Sequence, residues 1–145
     1  MSSITNSIAY GKCYNCDKVQ VTSNKLENSL FGYKKLIAWQ KANELAHKVY
    51  DLTLSFPKTE LFGLTSQLQR AALSVPTNMV EGHARNNKKE FHRFLSIALG
   101  SLAETEYLLE FAFERNLINK NDYEKVYLLR QETGHIIWKL YISQK

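Results

Sequence analysis

Residues Ser74–Arg85 read "SVPTNMVEGHAR" and lie between two strongly apolar stretches. A proline and a cluster of polar side chains occupy a place where a core helix would be expected to run on. The stretch is a break between helices, a kinked helix or a binding site, and the choice governs how the chain is divided. The apolar positions decide it: Leu61, Leu64, Leu68, Ala71, Ala72, Val75 and Met79 fall on one helical face, in a register that passes through Pro76 unchanged. Pro76 is therefore internal to a helix. It removes one hydrogen bond and presses on the carbonyl four residues earlier, a penalty of about 3 kcal/mol, so a kink absorbed by packing is expected. Gly82 is the expected terminator, because glycine takes the left-handed conformation that closes a last turn.

Working outward, Trp39, Ala42, Leu45, Ala46, Val49, Leu52 and Phe56 form the stripe of a preceding helix that starts near Leu36. Pro57 stops it, and Thr59 is the expected cap of the next start. Downstream, Asn87 with Glu90 has the form of a capping box before a third helix buried through Phe91, Phe94, Leu95, Ala98, Leu102, Leu108, Leu109 and Ala112. Asn119 and Asp122 cap a fourth, with Val126, Leu129, Thr133, Ile136, Ile137 and Leu140 facing inward. Connections this short force neighbouring helices antiparallel. The predicted fold is all-α, an antiparallel up-down-up-down four-helix bundle over residues 34–145 with a kinked second helix, about 30 to 45 Å long.

A chain of 145 residues is sized for one domain, and its six glycines and two prolines supply few of the tight turns an all-β fold requires. Residues 1–33 are rich in Ser, Asn, Thr and Lys without periodicity and read as a flexible extension. The opening "MSSITNSIAYGKCYNCDK" lacks the basic start and apolar middle of a secretion signal, and no apolar run reaches the roughly 18 residues of a membrane span. A cytoplasmic protein with no membrane partner is expected, with Cys13 and Cys16 as reduced thiols. "CYNC" has the spacing of half a zinc site, but no second Cys/His pair at finger spacing follows, and a solvated tail is the favoured reading.

The formal charge of +5 only permits an anionic partner, and its distribution says more. In the predicted topology residues 34–44, 80–93 and 136–145 share one end of the bundle, with nine basic groups (Lys34, Lys35, Lys41, Arg85, Lys88, Lys89, Arg93, Lys139 and Lys145) against three acidic ones. The other end, 48–62 and 106–125, holds five basic against seven acidic groups. Lys88 and Lys89 lie in the first turn of the third helix and Glu110 and Glu114 near its last, the reverse of what the helix dipole favours by about 0.3–1 kcal/mol per charge. Lys34, Lys35, Arg85, Lys88, Lys89 and Arg93 are accordingly the candidate contacts to backbone phosphates, with an ordinary solvated surface as the alternative. No zinc finger, helix-turn-helix or RNA-recognition signature predicts base-specific readout.

Catalytic readings are weaker. "ELAH" (Glu44, His47) and "ETGH" (Glu132, His135) match the Glu-x-x-His spacing of di-iron bundles, with Glu81 and Glu90 at a similar height. At about 100° per residue, however, Glu44 and His47 project roughly 140 to 160° away from the Ala42/Val49 stripe, and His135 points away too. Surface roles are favoured over a metal centre. The serines lack a Gly-x-Ser-x-Gly elbow, no Gly-rich phosphate loop occurs, and His83 and His92 read as polar surface groups. No catalytic residue, metal or cofactor is predicted.

On the second helix Gln67, Arg70, Ser74, Thr77, Asn78 and Glu81 share one side, while Phe62, Leu73 and Val80 add a second apolar side. Two apolar sides point either to another subunit, contacted through Arg70, Leu73, Asn78 and Glu81, or to a wide intramolecular core.

The segments "YKKLIAWQKANELAHKVYDLTLSFPKTELFGLTSQLQRAALSVPTNMVEGHAR" and "KKEFHRFLSIALGSLAETEYLL" carry the combination W-Q-K-A, F-P and S-V-P-x-N-x-x-E-G-x-x-R. Over about residues 33 to 141 the chain thereby resembles the four-helix-bundle family of proteins encoded in 23S rRNA intervening sequences. Ser74, Pro76, Asn78, Glu81, Gly82 and Arg85 match its pattern, which does not require residues 1–33. The resemblance implies an antiparallel bundle assembled as a ring-like homopentamer with no established enzymatic activity. That family is also similar to the accessory variability protein of diversity-generating retroelements, a basic barrel that engages nucleic acid and a reverse transcriptase. The expectation is a non-catalytic homo-oligomer, a pentamer by this likeness, whose basic end associates with RNA or a ribonucleoprotein. The alternative is a purely structural or protein-binding ring.

Overall fold

A computed structural model of the chain describes residues 32–145; Cys13, Cys16 and the rest of the expected extension before Gly32 lie outside the described residues. Four α-helices make an all-α bundle: α1 (Ile37–Thr53), α2 (Leu64–Ala84), α3 (Lys88–Glu114) and α4 (Lys120–Ser143). Single 3-10 turns occupy Gly32–Lys35 and Lys58–Glu60, and no strand occurs among the described residues. Gly32 and Tyr33 belong to the packed domain rather than to the extension. The Tyr33 ring meets Trp39 edge-on at 5.0 Å.

The predicted stripes form the core. Ala42, Leu45, Val49, Leu68, Ala72, Val75, Met79, Leu95, Ala98, Leu109, Ala112 and Ile137 are all fully buried. Each large aliphatic side chain among them contributes about 1.5–3 kcal/mol through removal from water. Thr105 and Thr133 join them because each hydroxyl donates to the carbonyl four residues earlier, Ser101 at 2.8 Å and Leu129 at 2.7 Å, which leaves no unpaired polar atom.

Contacts between neighbours run in opposite chain order, the order that short connections impose. Between α3 and α4 they pass from Lys88 with Lys145, through Glu106 with Arg130, to the stacked Phe113 and Tyr123 rings. Between α2 and α3 they pass from Ser74 with Ser101 to Gly82 against Phe94. Gln69 Nε2 donates to Thr53 Oγ1 at 2.8 Å to tie the start of α2 to the end of α1. Lys41 bridges α1 to Glu132 on α4 at 3.1 Å.

Several boundaries differ from expectation. Leu61 and Phe62 precede α2 in the turn region and are 53% and 92% exposed, so apolar character there does not signal core. Gly63, with no side-chain hydrogen bond, stands at the cap position assigned to Thr59. Gly82 does not end α2, which continues to Ala84; the left-handed residue is Asn86, at φ 49°. What Gly82 provides is proximity. A Cβ there would lie 2.5 Å from Phe94 Cβ, so only glycine lets α2 and α3 approach this closely. Asn116, at φ 58°, is likewise the left-handed residue just past the end of α3. Its N–H donates to Phe113 O and that of Leu117 to Ala112 O, both at 2.9 Å, the paired bonds of a Schellman motif.

Helix α2 runs unbroken through Pro76. The carbonyls just before the proline receive side-chain donors: Thr77 Oγ1 donates to Leu73 O at 2.9 Å, and Asn78 Nδ2 to Ser74 O at 2.8 Å. Asn78 also donates to Ser74 Oγ at 2.9 Å, and Ser74 Oγ lies 2.8 Å from Ser101 Oγ, so the polar face of α2 is wired to α3.

Candidate nucleic-acid interface

The α2–α3 connection builds the basic end. Asn86 takes the left-handed conformation that an Asn tolerates, and Asn87 follows in an extended one, so the chain reverses within two residues. Asn87 Oδ1 accepts from the backbone N–H groups of Lys89 at 2.9 Å and Glu90 at 3.2 Å, fixing the first turn of α3. That reversal brings Arg85 and Lys89 near enough for both charges to act on the Glu90 carboxylate, with Lys88 between them in the chain. Only half of the expected capping box forms, because the Glu90 carboxylate turns outward to Arg93 Nη2 at 3.0 Å.

Other elements converge on the same place. Lys88 Nζ donates to the main-chain oxygen of Lys145 at 3.1 Å, joining the start of α3 to the end of α4. Gly82, His83, Asn86, Asn87, Lys88, Phe91 and Gln144 line a shared cleft. The Gly32–Lys35 turn closes on it from the α1 side: a Cβ on Gly32 would lie 3.1 Å from His83 Cε1, and the Tyr33 and His83 rings meet edge-on at 6.5 Å. Lys34, Lys35, Arg85, Lys88, Lys89 and Arg93 therefore share one end of the bundle, all exposed. Lys139 is exposed nearby on the last two turns of α4.

Local electrostatics register this convergence. The Glu90 carboxyl is held below the usual carboxylate range first by its hydrogen bond to Arg93, then by the charges of Arg93, Arg85 and Lys89. The acidic groups at this end are spoken for: Glu81 pairs with Arg85 at 2.7 Å and Glu90 with Arg93. Both guanidinium groups also sit over the buried Phe94 ring, at 5.7 and 4.4 Å from its centroid. No side-chain carboxylate among the described residues lies within ion-pair distance of Lys88, Lys89, Lys139 or Lys145. Lys41 differs from Lys88, Lys89, Lys139 and Lys145. It is clamped on the α1–α4 seam between Glu132 and Glu44, and those two hydrogen bonds raise its pKa.

His83 and His92 are not the surface groups expected from the sequence. Both are half-buried, with His83 packed edge-on to Phe91 at 6.0 Å and His92 stacked on Tyr141 at 4.2 Å. Glu44, His47, Glu132 and His135 are exposed, and both glutamates face Lys41 rather than one another's histidines. No cluster of three potential metal ligands occurs among the described residues. Of the residues expected at a subunit contact, Arg70 and Leu73 line an open groove between α2 and α3 with Glu104. Asn78 and Glu81 are engaged within the chain, with Ser74 and Arg85 respectively.

Sequence reasoning overlooked a second aromatic group. Tyr141 links His92 to Trp138, whose ring lies 5.4 Å from its own, and Lys145 Nζ sits over Tyr141 at 5.9 Å. The available signal was that Trp138, Tyr141 and Ile142 fall outside the stripe assigned to the fourth helix.

No helix among the described residues is long and apolar enough to cross a membrane. A family model described as 23S rRNA-intervening sequence protein matches residues 34–139. No curated protein matches the chain significantly. Among solved structures, the chain is similar to a protein of unknown function from the S23 ribosomal protein family of Bacteroides thetaiotaomicron. The TM-score is 0.65 at 23% identity, over 72% of this chain and 98% of that one, and the likeness carries the fold alone.

Proposed function

The chain belongs to the 23S rRNA-intervening sequence protein family, and on that premise we propose a non-catalytic, cytoplasmic bundle whose basic end associates with RNA or a ribonucleoprotein. One observation carries the reading: the two-residue reversal at Asn86 and Asn87 gathers Arg85, Lys88 and Lys89 at the end that Lys34, Lys35 and Lys145 also reach. Two lysines in the first turn of α3 oppose the helix dipole, at about 0.3–1 kcal/mol each, and an external polyanion reverses that sign. The contacts are to phosphates, so they position the nucleic acid without reading its sequence.

The test is positional. Lys88→Glu with Lys89→Glu is compared with Lys120→Glu plus Lys125→Glu at the opposite end, two reversals that leave the same net charge. Loss of RNA binding in the first pair alone supports the interface; equal loss in both reduces it to non-specific attraction.

A homo-oligomer, pentameric by family likeness, is the accompanying reading. Leu73, 43% exposed beside Arg70 on the outer side of α2, favours it. Native mass before and after Leu73→Lys checks it. An intact oligomer that binds no RNA at low salt leaves a purely structural or protein-binding ring.

A further inference from the structure

The basic end continues into a ladder of aromatic rings that phosphate binding does not use. Starting from Lys88, whose amine reaches the backbone of Lys145, the surface passes to the Lys145 amine over the Tyr141 ring at 5.9 Å. It then passes to Trp138, tilted against Tyr141 at 5.4 Å. The ladder is anchored on its inner side. Tyr141 stacks on His92 at 4.2 Å with the planes 21° apart, and His92 Nε2 is buried without a hydrogen-bond partner, so that imidazole serves as a packing surface. On its outer side the ladder opens, with Trp138 52% and Ile142 45% exposed.

Two facts distinguish these rings from an ordinary core fringe. Trp138 lies off the buried face of α4, which is defined by Val126, Thr133 and Ile137, and about half of its surface stays in water. Its surroundings are also cationic: Lys139 follows it in the chain, while Lys145 and Lys88 lie along the same line of contacts. A half-exposed flat ring packed on Tyr141, whose own ring carries the Lys145 ammonium, is the arrangement that takes an unpaired base, with its phosphates on the cations and its π-face on the ring. A protein partner with an apolar patch would have to desolvate those lysines, whereas a single strand neutralises them.

We propose that Trp138, supported by Tyr141 and His92, is a stacking platform for an unpaired nucleobase, so that the basic end selects single-stranded over duplex nucleic acid. The inference rests on the proposed phosphate contacts and adds the class of ligand. Duplex bases are already stacked on each other and cannot cover the ring, and stacking is indifferent to base identity, so the selectivity is for strandedness rather than sequence.

The test uses the full chain with a single-stranded RNA oligomer, the same oligomer annealed to its complement, and the variants Trp138→Ala and Trp138→Phe. Alanine should weaken single-strand binding about 5- to 150-fold, the range set by roughly 1–3 kcal/mol per stacked base. Phenylalanine should retain most of the affinity. The salt dependence of single-strand binding should stay unchanged, because no phosphate contact is lost, and duplex affinity should not move. In a Trp39→Phe background the single-strand RNA should also quench the remaining tryptophan fluorescence. Equal losses for single strand and duplex, or no loss in Trp138→Ala, overturn the platform while leaving the phosphate reading to its own test through Lys88 and Lys89. A changed native mass in Trp138→Ala with unaltered RNA binding also overturns it, and makes the face a subunit contact.

Discussion

Substituting Gly82 with alanine tests the close approach of α2 to α3. The added Cβ would stand 2.5 Å from Phe94 Cβ, 3.1 Å from Phe91 Cδ2 and 3.2 Å from Phe94 Cγ. Carbon atoms in good contact sit about 3.5–4.0 Å apart, so roughly 1 Å of separation must be found. Phe94 Cβ is fixed to its backbone, and no rotamer change moves it away; α2 and α3 must themselves part. Overpacking of this kind costs about 1–3 kcal/mol, and an anchored neighbour argues for the upper part of that range. Alanine returns about 1 kcal/mol of helix propensity, which leaves a net loss of about 2 kcal/mol. Gly100 is the control, since it lies in α3 with nothing within 4 Å of its added Cβ, and Gly100→Ala should gain about 1 kcal/mol. Gly134→Ala falls between, because the atom it meets, at 3.2 Å, is the mobile Leu102 Cδ2. Urea unfolding at one fixed protein concentration reads all three. With a slope of about 2 kcal/mol/M, the Gly82→Ala midpoint should fall by about 1 M and that of Gly100→Ala rise by about 0.5 M. A rise for Gly82→Ala equal to that for Gly100→Ala would refute the close approach and the reason given for a glycine there.

Removing the carboxylates that hold the two arginines should strengthen RNA binding: Glu81→Gln with Glu90→Gln releases Arg85 and Arg93, and the dissociation constant at low salt should fall several-fold. Asn87→Ala should cost about 1 kcal/mol in urea unfolding, because two N–H groups of the first α3 turn lose their acceptor. Glu106→Ala should cost about 1–3 kcal/mol, because the Arg130 guanidinium it leaves behind is largely buried and has an Nε already without a partner. The exposed Lys120–Glu124 pair, at 3.8 Å, should by contrast change stability by less than about 0.5 kcal/mol on Glu124→Ala.

The four helices and the caps Asn87 and Asn119 were legible because both signals are local: a stripe recurs every three or four residues, and a cap needs only its own first turn. What depends on a neighbour was not. Gly82 looks like a terminator in one dimension and proves to be a contact point with Phe94 in three. Glu90 sits correctly for a capping box, yet Arg93, one turn on, offers its carboxylate a charged partner. Leu61 and Phe62 extend the apolar register of α2 but precede it and face solvent, since periodicity does not say where the chain leaves a turn. At the basic end, the grouping of Arg85, Lys88, Lys89 and Lys145 was foreseeable from short connections alone. The His92, Tyr141 and Trp138 ladder was not, because it is assembled from two helices 46 positions apart at its ends.

The most direct measurement is the affinity for a single-stranded RNA oligomer across a salt series, made on the parent chain and on Lys88→Ala with Lys89→Ala. Log affinity should fall linearly with log salt, by about 0.7 for each phosphate neutralised, and the double substitution should flatten that slope by about 1.4. A slope unaltered by losing both lysines, or a parent chain that binds no RNA even at low salt, would contradict the account.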